Sequence, residues 1–96
     1  MLDEHGYLKN YEKWTEEIAI KIALKEKIKL KNKHWKIIYI IRKFYIKFNR
    51  MPSMLEIHII FKKKNKKTIN LNELFNQKFI KISSKIAGIP KTNICI

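Results

Sequence analysis

One residue in this chain carries a sulfur nucleophile. Cys95 stands next to last, in the segment KIAGIPKTNICI at 85–96. A thiol reacts as its thiolate, and exchange on sulfur needs access along the S–S bond under attack. An ordinary thiol titrates near ~8.5, so only about a few per cent is ionised at neutral pH. That fraction serves for attack on an activated sulfur atom. It does not serve for amide hydrolysis without a neighbouring base. Lys91 is near enough in sequence to favour the thiolate, while the carboxylate of Ile96 opposes it. The three histidines, His5, His34 and His58, lie away from this segment. Their expected roles are structural or solvent-facing, so a protease-like Cys/His pair is not supported.

Other sulfur chemistries are excluded by count and spacing. A single cysteine makes no internal disulfide and cannot act alone as a dithiol oxidoreductase. No CxxC or Cys/His cluster offers a zinc site, and no metal or other cofactor is expected. Cys95 is followed by one residue rather than three, which rules out a prenylation signal. What remains is a thiol with reach. Gly88 suits the C′ position of a preceding helix, and Pro90 prevents its continuation. The seven residues from Gly88 to Cys95 span roughly 20–25 Å when extended. Residues 89–96 are therefore expected to form a mobile arm. The plain alternative is a tail residue with no role.

The body must position this arm, and its elements are marked by caps and apolar periodicity. Thr15 caps a helix to about Lys25, with Glu16 and Glu17 in its first turn. Lys31 or Asn32 opens the longest helix, ending near Asn49. Its stripe runs through Trp35, Ile38, Tyr39, Arg42, Tyr45 and Ile46, and the all-round apolar stretch WKIIYII predicts contacts on more than one side. Ser53 and Glu56 form a capping box for a helix over 53–63. The run KKKNKKT reads as a solvated loop or frayed end. Asn70 and Glu73 open a short helix, and a last helix covers 77–86 with Phe79, Ile80 and Ser83 inward. Residues 1–13 hold Gly6 and a short extended piece around Tyr7 and Leu8. The expected fold is mostly α (α+β): one domain over 1–96, about five helices in a compact bundle, and a small, trimmed N-terminal β-hairpin.

Composition bounds the rest. Ninety-six residues with 46% hydrophobic content build one modest core, burying about 60–65% of the unfolded surface, with no room for a deep enclosed site. The longest apolar run, Ile37 to Ile41, is far short of the ~20 residues that span a bilayer. No secretory leader is evident, and a reduced thiol fits the cytoplasm. The net charge of +14 has two readings. One is a polyanionic partner, with the chain a basic helical nucleic-acid binder. The other is compositional drift toward Lys, Ile and Asn, with the cations spread along the whole chain. Against base readout, the helix MLEIHIIFKKK is mostly apolar where bases would be contacted.

The segment KIAGIPKTNICI resembles the C-terminus of the TusE/DsrC/DsvC family, which ends in an Ile-Ala-Gly-aliphatic-Pro-Lys stretch and a penultimate cysteine. DEHGYLKN, Trp14 with TEE, HWKIIYIIRKFYIKFN and Pro52-Ser53 are similar in order and spacing to the family's body, so the likeness covers nearly the whole chain. The family's working cysteine matches Cys95. Two-cysteine members carry a second one eleven residues earlier, where this chain has Ser84, which points to the single-thiol TusE branch. The resemblance implies a sulfurtransferase that accepts sulfane sulfur from TusD of the TusBCD complex as a persulfide on Cys95. It implies delivery to the MnmA–tRNA complex, which makes 2-thiouridine at the wobble position of Lys, Glu and Gln tRNAs. The tRNA contact is then indirect, and no membrane is involved. Gly88 and Pro90 would set where the arm leaves the body. Lys85 and Lys91 are candidates for guiding it to an anionic partner or stabilising the persulfide anion, with plain solubility as the alternative. An arginine of the family's pattern falls at about Leu55 here, and the loop before Asn70 is shorter.

Overall fold

Helices in this chain begin where a short polar side chain can take up a free amide. The computed structural model describes residues 2–90. Helix α1 (Glu16–Lys25) is capped by Thr15, whose hydroxyl accepts from the Ile18 amide at 3.2 Å. Helix α3 (Met54–Asn65) has the full Ser53/Glu56 capping box, and Arg50 clamps the Glu56 carboxylate with two bonds of 3.0 and 2.9 Å. Helix α4 (Leu71–Leu74) opens on Asn70, whose side chain accepts from the Glu73 amide. Helix α5 runs from Phe79 to Ala87. A 3₁₀ turn at Tyr11–Lys13 precedes α1.

Helix α2 (Asn32–Phe48) starts differently. The Lys31 amide donates to Nδ1 of His34 at 3.0 Å, which leaves the proton on Nε2 to donate to the Leu74 carbonyl at 2.9 Å. The buried His34 thus ties α2 to α4 as a neutral ring packed edge-on to Phe75. Helix α2 stops at Asn49 in the left-handed region, φ 56°, a conformation asparagine tolerates better than most residues.

The core lies around α5, which packs on α1, α2 and α4, while α2 also packs on α3. From Ile82 through Ile86 every residue of α5 is buried, consistent with its hub position. Ser83 is inward, its hydroxyl buried without a hydrogen-bond partner among the described residues. The long helix α2 buries Ile37, Ile38, Ile40, Ile41, Phe44 and Tyr45, whereas Ile46 of the expected stripe stays exposed, as does Phe48 at the helix end.

The expected N-terminal β-hairpin is not formed. Among the described residues there is no strand, only one antiparallel bridge between Leu2 and Leu8. Between them the Asp3 carboxylate accepts the amides of His5 and Tyr7, each at 2.9 Å, and Gly6 adopts φ 87°. The backbone turns away again at Asn10 into the 3₁₀ turn. A single bridging pair has too little ladder to persist as a ribbon. It is held instead by burial of Tyr7 and Leu8. No helix among the described residues is long and apolar enough to cross a membrane.

Candidate functional site

The C-terminal end of α5 is where the chain heads toward Cys95, and its four last carbonyls are all satisfied. Gly88 adopts φ 76°, its amide donates to the Lys85 carbonyl at 3.1 Å, and the Ile89 amide donates to Ser84 at 3.0 Å. This is a Schellman closure with an apolar residue after the glycine, and Ile89 is fully buried. The two carbonyls left over are taken from outside the helix. Trp14 Nε1 donates to the Ile86 carbonyl at 2.8 Å, and Arg42 Nη1 donates to that of Ala87 at 2.7 Å. The positive guanidinium also sits where the helix dipole presents its negative end.

Arg42 and Trp14 brace each other. The guanidinium lies 4.2 Å from the Trp14 ring centre, and its Nη2 donates to the Tyr11 carbonyl at 3.1 Å. Burial pulls the Arg42 pKa below its ordinary value, with Tyr11 and Tyr39 opposing that shift. The pair crowds Gly88. A Cβ there would stand 2.5 Å from Trp14 Cδ1 and 3.2 Å from Arg42 Nη1, so only glycine fits the space and the left-handed backbone together. Tyr39 packs edge-on to Trp14 with ring centres 5.8 Å apart.

The residues singled out from sequence fall as follows. Gly88 is at the braced helix end, and Pro90 follows it, half-buried. Of the segment expected to form an arm, Ile89 belongs to the core. Lys91 and Cys95 lie outside the described residues, so the structure does not place the thiol. Lys85 points back to the body. Its ammonium is 3.4 Å from Glu26 and 5.3 Å from the Tyr7 ring centre, with the side chain 11% exposed. Burial is the main cause of the raised Tyr7 pKa. Ser84 is buried, and its hydroxyl donates to the Ile80 carbonyl at 2.6 Å. Arg42 and Trp14 were not among the predicted site residues. An arginine inside the apolar stripe of α2 was the available signal, because a cation there needs acceptors from another element. Among the described residues no group of three metal-ligating side chains comes together.

A family model described as DsrC like protein matches residues 1–96. The chain belongs to the DsrC-like family. Sulfurtransferase TusE of Buchnera aphidicola subsp. Schizaphis graminum is 50% identical over 100 residues, covering 98% of this chain and 86% of that protein. Sulfurtransferase TusE of Salmonella choleraesuis is 36% identical over 98 residues, covering 98% and 90%. Among solved structures, the oxidized gamma-subunit of the dissimilatory sulfite reductase (DsrC) from Archaeoglobus fulgidus superposes with a TM-score of 0.86 at 35% identity, covering 100% of this chain and 91% of that one. DsrC of Allochromatium vinosum superposes with a TM-score of 0.83 at 29% identity, over 99% and 88%. The curated relatives support a sulfur-relay role for this DsrC-like chain. Leu55, the approximate position at which the resemblance leads us to expect an arginine, is an exposed apolar side chain on α3.

Proposed function

We propose that this chain is a sulfurtransferase that carries sulfane sulfur as a persulfide on Cys95, in the cytoplasm, within the relay that 2-thiolates the wobble uridine of tRNA. The observation that carries the reading is the likeness to TusE sulfurtransferases across 98% of the chain. TusD of TusBCD is the donor, and the MnmA–tRNA complex is the acceptor. The Cys95 thiolate attacks the outer sulfur of the donor's Cys–S–SH. The donor's S–S bond breaks, its cysteine leaves as thiolate, and a new S–S bond forms on Cys95. The acceptor cysteine repeats the exchange, so electrons balance without an external oxidant or reductant.

The braced end of α5 supports this reading. A thiol that visits two pockets in turn needs a fixed root and free chain beyond it. Gly88 and Pro90 mark the root, and residues 91–96 are the arm in this proposal. Ser84 gives no second thiol, so the carrier resolves only on a partner. Lys91 is the cation available to the arm, since Lys85 is engaged by Glu26.

The test is persulfide transfer from a purified TusBCD-type donor, read by intact-mass spectrometry. Wild type is expected to gain about 32 Da, one sulfur atom, localised to Cys95. Cys95→Ser is expected to gain nothing while keeping its helical circular dichroism. Absence of the adduct on a folded wild type, or an adduct on Cys95→Ser, overturns the proposal.

A further inference from the structure

We propose that the groove between α2 and α3 is a docking site for an acidic amphipathic helix of a partner protein. Two adjoining hollows of about 220 and 180 Å³ share Ile40, Lys43 and Lys64. The floor is apolar, made by Ile40 and Phe44 from α2 and Ile60 from α3. Lysines stand on both walls. Lys36, Lys43 and Lys47 recur at i, i+7 and i+11 along α2, and Lys64 faces them from α3. Neither hollow is lined by a carboxylate, and among the described residues the only lysine within ion-pair distance of one is Lys85. Lys36 instead donates to Asn65 across the groove at 3.1 Å.

The dimensions suit a helix. Eleven residues of α2 rise about 16 Å, or three turns, so acidic side chains at the same spacing on a partner helix would meet the lysine row. Its apolar stripe would then face the floor, the helix-in-groove mode of recognition. Nucleic acid fits less well. A phosphate backbone has no apolar complement for the floor, and Phe44, the aromatic in that floor, has no free face for a base to stack on. Phe44 is 8% exposed, with the Phe48 ring at 4.5 Å and the Arg50 guanidinium at 4.8 Å. The groove reaches Tyr39, which touches Trp14 at the braced end of α5. A helix seated here would therefore lie beside the exit of the chain toward Cys95. The surface itself does not depend on the thiol.

The test uses the full chain and a synthetic peptide of about 16 residues, roughly 24 Å as a helix, with leucines on one face and glutamates on its flanks. Isoleucine-methyl NMR is expected to show shifts centred on Ile40 and Ile60. Binding should persist at about 0.5 M salt, where surface charge is largely screened. The exposed pair Lys43→Glu with Lys47→Glu is expected to weaken binding about tenfold or more through like-charge contacts. The control is Lys21→Glu with Lys25→Glu, beside a smaller apolar hollow at Leu2, Ile18 and Ile22 that has lysines from α1 alone. It should change affinity less than about twofold, the size of an ordinary surface substitution. The proposal is overturned by absence of binding, by loss of all binding at high salt, or by equal effects of the two pairs. It is overturned equally if an oligouridine of the same charge shifts the same methyls at lower concentration, which would assign the groove to nucleic acid.

Discussion

Arg42 and Lys43 are neighbours on α2, carry the same charge, and have opposite surroundings. Arg42 is half-buried, donates to two carbonyls and lies over the Trp14 ring. Lys43 is exposed in a groove with no carboxylate. One step along a helix rotates the side chain by about 100°, enough to move a cation from between elements to the surface. A planar guanidinium can donate in several directions while its faces lie against rings, and it is more weakly hydrated than an ammonium. The lesson is that the net charge of +14 is not one property. Part of it holds the molecule together, and part is left for something else to meet.

Substitutions can break that contrast, and the largest effect is expected at the buried member. Arg42→Leu leaves the Ala87 carbonyl without its donor and removes the cation from the Trp14 ring. A loss of about 3 kcal/mol in urea unfolding is expected, or a Tm lower by about 10–20 °C. Gly88→Ala comes next. The left-handed backbone costs about 1 kcal/mol, and Trp14 must also move aside. A total near 2 kcal/mol with a changed tryptophan fluorescence spectrum would identify the displacement. Lys43→Ala should stay within about 0.5 kcal/mol of wild type. A larger loss would mean that the groove lysines are structural after all.

Arg50 is an intermediate case, exposed yet paired, and it yields the smallest effect. Its guanidinium, with Ser53, holds the Glu56 carboxyl at about 2, against an ordinary 4.5. A carboxyl depressed in the folded state stabilises fully above its ordinary value, and that contribution is lost as pH falls from 4.5 toward 2. The pair is solvent-screened, so the fall in Tm across that window should be shallow. Glu56→Gln should remove this part of the slope. An unchanged pH profile would show that the pair adds nothing measurable.

Much of this fold was legible because its helix ends are chemically explicit. Thr15, the Ser53–Glu56 box, Asn70 with Glu73, and Gly88 each mark a boundary through local hydrogen bonding, and the observed helices obey them. The N-terminal ribbon was misjudged because extended residues around Tyr7 and Leu8 signal a strand only when a second segment can pair with them. Asp3 and Gly6 close the chain into a turn instead. The hub role of α5 was hidden for a related reason. Its apolar spacing turned Ser83 inward as expected, but its short run gives no hint that Ser84 and Lys85 would be buried as well. Within the candidate site, Gly88 and Pro90 could be named from local backbone logic. The Trp14–Arg42 brace could not, since its bonds to α5 join residues 72 and 45 positions apart. No local rule pairs such residues. A cation in an apolar stripe says only that acceptors must exist somewhere.

Burial of Ile89 has a geometric consequence. It shortens the segment proposed as the arm: counted from Pro90, the five steps to Cys95 cover about 17 Å at most when fully extended. Any molecule exchanging a group with that sulfur must bring its own reacting atom inside this radius. On the proposed sulfur-carrier reading, such a molecule would approach the end of the body where Trp14 and Arg42 hold the last carbonyls of α5. Two partners would then contest one region, and a giver would depart before a taker arrived. The order of visits would follow from steric exclusion alone.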